Sequence, residues 1–326
     1  MTQPTVLVTG ATVAQQAQKL LRDAGLDIVF MDTTTNEQSV LAELSRRTVP
    51  AVLLRGPAPF TPKVFAAAKD LKIISKHGVG IDSVDLESAT AHGVAVMITS
   101  GTNAGAVAEH ALALMFALVR ELPRFDRELR KGIWKNQNYL VRDFCDRTVG
   151  IVGYGQIGQK TAALASACGA NVILHSRTRG EPPPGMEWED DLGRLLARAD
   201  IVSLHCPLTD KTRGFIGAKQ FALMKPGSLI INTSRGKLIE EPALIDALKN
   251  GPLAGAGLDT FAVEPPDPAN PLFALPNLLC TPHISSATTH AVAQMGVVAA
   301  HNIVSYLRGE VYDPRNFINP AVFKPR

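Results

Sequence analysis

The stretch 148–179 leaves this chain few folds to choose from. Thr148, Val149, Gly150, Ile151 and Val152 read as a short buried strand, and Gly153, Tyr154, Gly155, Gln156, Ile157 and Gly158 then spell G-x-G-x-x-G ahead of an apolar-periodic segment that runs through Cys168. In such a turn the first glycine permits the bend, the second lets a pyrophosphate come against the backbone, and the third lets helix pack on strand. Free N–H groups at the helix start hold the anion. A lone glycine pattern carries little weight. Here Gly169 closes the helix and 171–175 opens a second β-rich run, so a whole βαβ unit surrounds the motif and the stretch reads as a dinucleotide site.

The residues just past the second strand bear on which dinucleotide binds. A carboxylate about 20 residues past the glycines suits the ribose 2′-OH of NAD, whereas a nearby arginine accommodates a 2′-phosphate. This chain places Ser176, Arg177, Thr178 and Arg179 there and no carboxylate. Two guanidinium forks with two hydroxyls are chemistry for a phosphate dianion, so NADP(H) is favoured and NAD(H) is the alternative. The competing account has Arg177 stacking on adenine and Arg179 as a solvated loop charge.

At 326 residues and 46% hydrophobic, the chain can bury a large core and is long enough for two domains. A net charge of +3 and 6% aromatics give no basic stripe, so nucleic acid is not an expected partner. The longest apolar run, 111–119, is too short to span a bilayer; no membrane partner is expected and a buried helix is. Residues 1–9 lack the charged and apolar regions of a signal peptide, which predicts a cytoplasmic protein. Cys145, Cys168, Cys206 and Cys280 are scattered without C-x-x-C spacing, which predicts buried free thiols and neither a metal site nor a disulfide framework.

Strands at 5–10, 27–31, 51–54, 72–75 and 94–98, with helices at 14–21, 38–46 and 62–68, describe a first α/β domain with a parallel sheet, running to about residue 101. The VTGAT at 8–12 has no further glycines in its turn and reads as an ordinary βα corner. HGVGID at 77–82 sits just past a strand end, where Gly78, Val79 and Gly80 can offer backbone N–H groups to a carboxylate; a plain turn is the alternative. A nearly all-apolar helix over 104–121 crosses into the second domain, and 120–130 reads as a solvated charged face. Trp134, Asn136, Gln137 and Tyr139 decorate an arm suited to a partner subunit.

Beyond the glycine motif, strands at 201–205, 228–232, 254–258 and 278–281 alternate with helices at 192–199, 215–224 and 242–249, and 182–185 is a rigid proline connection. Arg235, Glu264 and His283 fall just past three successive strands, whose ends converge in a parallel sheet. Arginine grips a carboxylate and polarises a carbonyl, histidine moves one proton near neutral pH, and glutamate orients the imidazole. Reduction of a 2-oxo acid needs those roles and a hydride.

With GYGQIG at 153–158, HCPLT at 205–209, NTSRG at 232–236, GLDTFAVEP at 257–265 and TPHIS at 281–285, the sequence resembles the D-isomer-specific 2-hydroxyacid dehydrogenase family over almost its whole length. The resemblance implies two doubly wound parallel-sheet domains. One is a flavodoxin-like substrate domain made of 1–101 plus 286–326, and the other is a Rossmann NAD(P)-binding domain at 102–285. It further implies a homodimer with the first long helix of the cofactor domain at the interface. By the same carry-over Arg235, Glu264 and His283 are catalytic, Val79 and Gly80 lie in the substrate-carboxylate loop, and Asp259 holds the nicotinamide amide. Pro207 and Thr212 line the adenosine side, with Cys206 and Thr233 at the neighbouring strand ends.

Formate dehydrogenases of this superfamily carry Gln where Glu264 stands, which disfavours formate. HGVGID and PPDPANPLF at 265–273 look like the phosphoglycerate dehydrogenase branch, although the chain ends without the extension many of its members carry. The Ser176–Arg177 loop instead suits an NADP(H)-dependent glyoxylate or hydroxypyruvate reductase, the favoured reading. The alternative is a D-3-phosphoglycerate dehydrogenase lacking a regulatory domain, for which Lys76 is the one evident extra cation near HGVGID. A rival of another class is a dinucleotide-sensing binding protein like the C-terminal-binding-protein corepressors.

Overall fold

The computed structural model describes residues 3–31, 36–134 and 140–324. The chain divides into two compact units, Met1–Asn103 with Thr288–Arg326, and Ala104–Ala287. Both crossings fall two residues beyond the boundaries placed from the sequence.

The first unit holds β1 (Thr5–Val8), β2 (Asp27–Phe30), β3 (Ala51–Leu54), β4 (Ile73–Lys76) and β5 (Ala95–Met97) in the order β2-β1-β3-β4-β5. All four pairings are parallel, and 2-1-3-4-5 is the flavodoxin-like winding. The runs TVLV and AVLL are buried at every position because helices cover both faces. The chain returns to this unit through the Thr289–Leu307 helix, whose Asn302 amide donates to the Ile98 carbonyl at 2.9 Å. Farther on, Asn319 accepts the Val96 N–H at 2.8 Å and donates to the Val94 carbonyl at 2.9 Å, tying the tail beside β5.

The second unit holds β6 (Thr148–Val152), β7 (Asn171–His175), β8 (Met186–Trp188), β9 (Ile201–Leu204), β10 (Ser228–Asn232), β11 (Leu253–Leu258) and β12 (Leu278–Cys280). Its order, β12-β11-β10-β9-β6-β7-β8, is the Rossmann winding 3-2-1-4-5-6 with a seventh strand added. The winding reverses between β6 and β9, and that crevice is where ligands of such sheets lie. Residues of the Ala104–Val119 helix pack with those of the Gln156–Ala167 helix and of β6 in one core, which explains its apolar surface all round.

Two local features differ from the sequence reading, and a third gives helical form to the segment read as a solvated charged face. β8 follows the proline connection as a three-residue edge strand, too short to announce itself. The charged 120–130 segment is a helix, Leu122–Arg130, with no buried residue, laced by Arg124–Glu128 and Arg130–Asp126 pairs one turn apart. Of the four free thiols expected to be buried, Cys145, Cys168 and Cys280 are exposed and Cys206 alone is partly covered. Asn136, Gln137 and Tyr139 lie outside the described residues, while Trp134 is 81% exposed. Among the described residues no helix is long and apolar enough to cross a membrane.

Candidate active site

The three motif glycines each meet a different geometric demand. Gly153 has φ of 98°, and a Cβ there would lie 2.6 Å from the Cys206 amide nitrogen. Its N–H donates to the His175 carbonyl at 2.8 Å, closing the bend between β6 and β7. A Cβ on Gly158 would lie 2.1 Å from the Gly153 carbonyl oxygen, so the helix rests directly on the turn. Gly155 faces open space, with nothing within 4 Å of a built Cβ, and caps the Gln156–Ala167 helix without any side chain. That bare helix start, containing Gln156 and Ile157, is a fit for a pyrophosphate.

Gly155→Ala therefore puts a methyl where the anion approaches. We expect dinucleotide affinity to fall by ~10-fold or more. Calorimetric titration and melting should find the unliganded protein far less destabilised than in Gly158→Ala, whose methyl meets backbone.

Past β7 the structure separates the two arginines. The Arg179 guanidinium pairs with Asp190, and its Nε donates to the Ser176 carbonyl at 3.2 Å, so this fork is spent folding the loop. Arg177 and Thr178 are exposed, and among the described residues Arg177 has no hydrogen-bond or ion-pair partner. One free guanidinium beside the half-buried Ser176, rather than two, is what remains for a 2′-phosphate. Thr212 knots its own turn, its Oγ1 donating to the Pro207 carbonyl at 2.7 Å and accepting the Thr209 N–H at 2.8 Å. Burial pushes the Cys206 thiol up to about 11, so it is no nucleophile at neutral pH. His205 Nδ1, Thr233 Oγ1 and Thr260 Oγ1, just past β9, β10 and β11, are buried and have no hydrogen-bond partner among the described residues. Such orphans are what a polar ligand satisfies, and Thr260 and His205 were not singled out from the sequence.

Arg235, Glu264 and His283 do come together. His283 Nδ1 lies 2.7 Å from Glu264 Oε2, and Glu264 Oε1 accepts the Phe261 N–H at 3.0 Å. The hydrogen bond to Glu264 raises the His283 pKa, burial works against it, and the charges of Glu264 and Asp259 add to the rise while Arg235 opposes it. Burial pushes Glu264 upward, but bonds from His283 and the Phe261 amide, with the charges of His283 and Arg235, leave it below its ordinary value. The pair thus favours imidazolium beside carboxylate, and with Nδ1 engaged, Nε2 is the nitrogen left to move a proton. Arg235 Nη1 donates to the Ser234 carbonyl at 2.8 Å. The loops carrying Arg235 and Glu264 touch backbone to backbone, since a Cβ on Gly236 would lie 2.0 Å from the Phe261 carbonyl carbon.

Asp259 is fully buried and faces the turn that bears the imidazole. It accepts the Thr281 hydroxyl at 2.6 Å and the N–H groups of Ile284 and Ser285 at 2.9 and 2.8 Å. In the first unit, the Gly78 N–H is taken by Thr99 Oγ1 at 3.0 Å, so Gly78 supplies a φ of 125° rather than a donor. Among the described residues the Val79 and Gly80 amides have no hydrogen-bond partner, which leaves two adjacent donors for an anion. Beside them burial, then the charges of Arg55 and Lys76, push His77 down to about 4. Arg55, overlooked in the sequence, joins Lys76 because Leu54 and Lys76 are in register on β3 and β4; Lys76 Nζ donates to the Gly56 carbonyl at 2.6 Å.

Fold and site together define a two-domain α/β protein with a dinucleotide cradle and an adjacent His–Glu pair. Residues 112–285 match the D-isomer specific 2-hydroxyacid dehydrogenase NAD binding domain, and the chain belongs to that family. A D-3-phosphoglycerate dehydrogenase of Archaeoglobus fulgidus is 34% identical over 317 residues, covering 96% of this chain and 59% of the relative. A glyoxylate reductase of Korarchaeum cryptofilum is 38% identical over 279 residues, 82% of each chain. The crystal structure of an NADPH-dependent glyoxylate/hydroxypyruvate reductase from Sinorhizobium meliloti, in complex with NADP and malonate, superposes with a TM-score of 0.84 at 28% identity. That likeness covers 100% of this chain and 99% of the reductase. The chain thus spans little more than half the length of the archaeal phosphoglycerate dehydrogenase.

Proposed function

We propose that the protein is an NADP(H)-preferring 2-oxo acid reductase acting on glyoxylate or hydroxypyruvate. The observation that carries this reading is the His283–Glu264 pair, with Nδ1 held at 2.7 Å, Nε2 left to donate, and Arg235 within electrostatic reach. A bound nicotinamide supplies the hydride. Arg235 fixes the substrate carboxylate and polarises the carbonyl, Glu264 holds the His283 imidazolium charged and oriented, and His283 gives its Nε2 proton to the carbonyl oxygen as hydride reaches the carbonyl carbon, leaving a neutral imidazole. In the first unit, Val79 and Gly80 offer two adjacent N–H donors suited to a carboxylate. Arg177 and Ser176 receive the 2′-phosphate, and Thr233, Cys206, Pro207 and Asp259 line the rest of the dinucleotide.

Arg55 with Lys76 favours a second reading, a phosphorylated substrate such as phosphohydroxypyruvate, because two cations flank the carboxylate loop where one was read from the sequence. On either reading the first unit is the substrate domain and the second the cofactor domain. Two copies pair through the Ala104–Val119 helix and the segment after it. Leu122, Leu129, Ile133, Trp134 and Leu140 support this by exposing apolar surface there. Four free thiols fit a cytoplasmic setting.

The test is initial-rate loss of reduced-nicotinamide absorbance with NADPH and NADH in parallel, against glyoxylate, hydroxypyruvate, pyruvate and phosphohydroxypyruvate. NADPH-dependent turnover of the first two supports the reductase. A preference for NADH with phosphohydroxypyruvate transfers the function to the second reading. No turnover of any acid, against an ordinary enzymatic rate of ~1 per second or more, leaves the dinucleotide-sensing binding protein.

A further inference from the structure

We propose that His110 is a positioning residue for His283, acting through Thr281 and Asp259; the proposal rests on the dehydrogenase reading above. His110 Nε2 lies 2.9 Å from Thr281 Oγ1, and Thr281 Oγ1 lies 2.6 Å from Asp259 Oδ1. The imidazole is itself 3.7 Å from Oδ1, with its side chain 21% exposed. A threonine hydroxyl has one proton, and here the carboxylate takes it. The hydroxyl therefore meets His110 as an acceptor, which assigns the Nε2 proton to His110. The chain runs one way, from imidazole N–H to hydroxyl to carboxylate.

Its end point is the backbone of the reactive turn. Asp259 accepts the N–H groups of Ile284 and Ser285, the two residues directly after His283. His283 has φ of 54°, a left-handed conformation that costs a non-glycine residue about 1 kcal/mol or more and persists only where its surroundings impose it. Asp259 imposes it through those two amides, and its own orientation is set by Thr281 and His110. That accounts for a histidine in the Ala104–Val119 helix, otherwise almost wholly apolar. If the chain slackens, the turn relaxes and the Nδ1 contact with Glu264 loosens.

The test compares His110→Leu, His110→Gln, Thr281→Val and the His110→Leu/Thr281→Val double variant. The first readout is the NMR titration of the His283 ring in the protein without substrate or cofactor. The charged groups facing that ring are Glu264, Asp259 and Arg235, all unaltered in these variants. The midpoint should fall toward the ordinary histidine value in His110→Leu and Thr281→Val. It should stay raised in His110→Gln, whose carboxamide N–H can replace the imidazole donor.

The second readout is turnover of the 2-oxo acid. His110→Leu should lose ~10-fold in kcat, the scale of a sub-ångström misplacement. The double variant should be no slower than Thr281→Val alone, as expected for two links of one chain. An unmoved titration in both single variants, equal behaviour of Leu and Gln, or additive losses in the double variant would each overturn the proposal. Because the titration needs no substrate, a wild-type protein that fails to turn over sinks the dehydrogenase reading while the NMR result still decides the role of His110. Should His110→Leu not fold, Thr281→Val against His110→Gln makes the same comparison.

Discussion

Alanine in place of His283 lowers turnover of a 2-oxo acid by ~100-fold to 10,000-fold, the worth of a positioned general acid, and leaves dinucleotide affinity nearly unchanged. The imidazole side chain is 47% exposed, so its removal opens no internal cavity and the loss is chemical rather than structural. The direction of the pH dependence comes from the same geometry. The hydrogen bond to Glu264 raises the His283 pKa above the ordinary 6.5, and reduction needs the protonated ring. The value of kcat/KM for reduction is therefore level at low pH and falls as pH rises through that raised pKa. In the oxidising direction the ring must start neutral, and the profile inverts. Steady-state rates across pH on the wild type and the variant check both statements; an unaltered rate in His283→Ala removes this residue from the chemistry.

Alanine in place of Gly236 should cost ~100-fold in kcat/KM although residue 236 carries no chemistry of its own. Its Cβ would stand 2.0 Å from the Phe261 carbonyl carbon and 2.2 Å from the carbonyl oxygen. Carbon atoms rest about 3.5 to 4.0 Å apart, so the two loops must part by more than an ångström, and both contacting atoms are backbone that cannot turn aside. Arg235 rides on one loop and Glu264 on the other. Their separation withdraws the guanidinium from the His283–Glu264 pair, and a misplacement of about 1 Å at a reacting centre costs on the order of 100-fold. Melting temperature and kcat/KM should both fall. A variant with wild-type kcat/KM would show that the loops do not fix the trio.

Much of this site was legible before any coordinate. Buried strands announce themselves as short apolar runs such as TVLV and SLIIN, and the glycine turn is a local conformational demand that only its spacing can meet. The trio was legible because strand ends of a parallel sheet converge, so position along the chain stands in for position in space. Two elements escaped for different reasons. β8 is an edge strand of three residues, too short to show a period, whereas the Leu122–Arg130 helix carries Leu122, Phe125 and Leu129 at helical spacing but buries none of its residues, and its charges dominated the reading.

The remaining surprises are matters of partnership. From the sequence Arg177 and Arg179 are equivalent, and only folding gives Arg179 to Asp190. Gly78 looks like a donor until Thr99 takes its N–H. Arg55 and Lys76 become neighbours through the register of β3 and β4, and His110 meets Thr281 across 171 residues of chain. The sequence by itself determined where the chain bends, which faces are apolar, and which chemistries stand at the strand ends, because these depend on a residue and its near neighbours. The tertiary structure decided which donors and acceptors are already spent and which are left for a ligand. A hydrogen bond is satisfied by whatever group lies about 3 Å away in space, and separation along the chain carries no record of that.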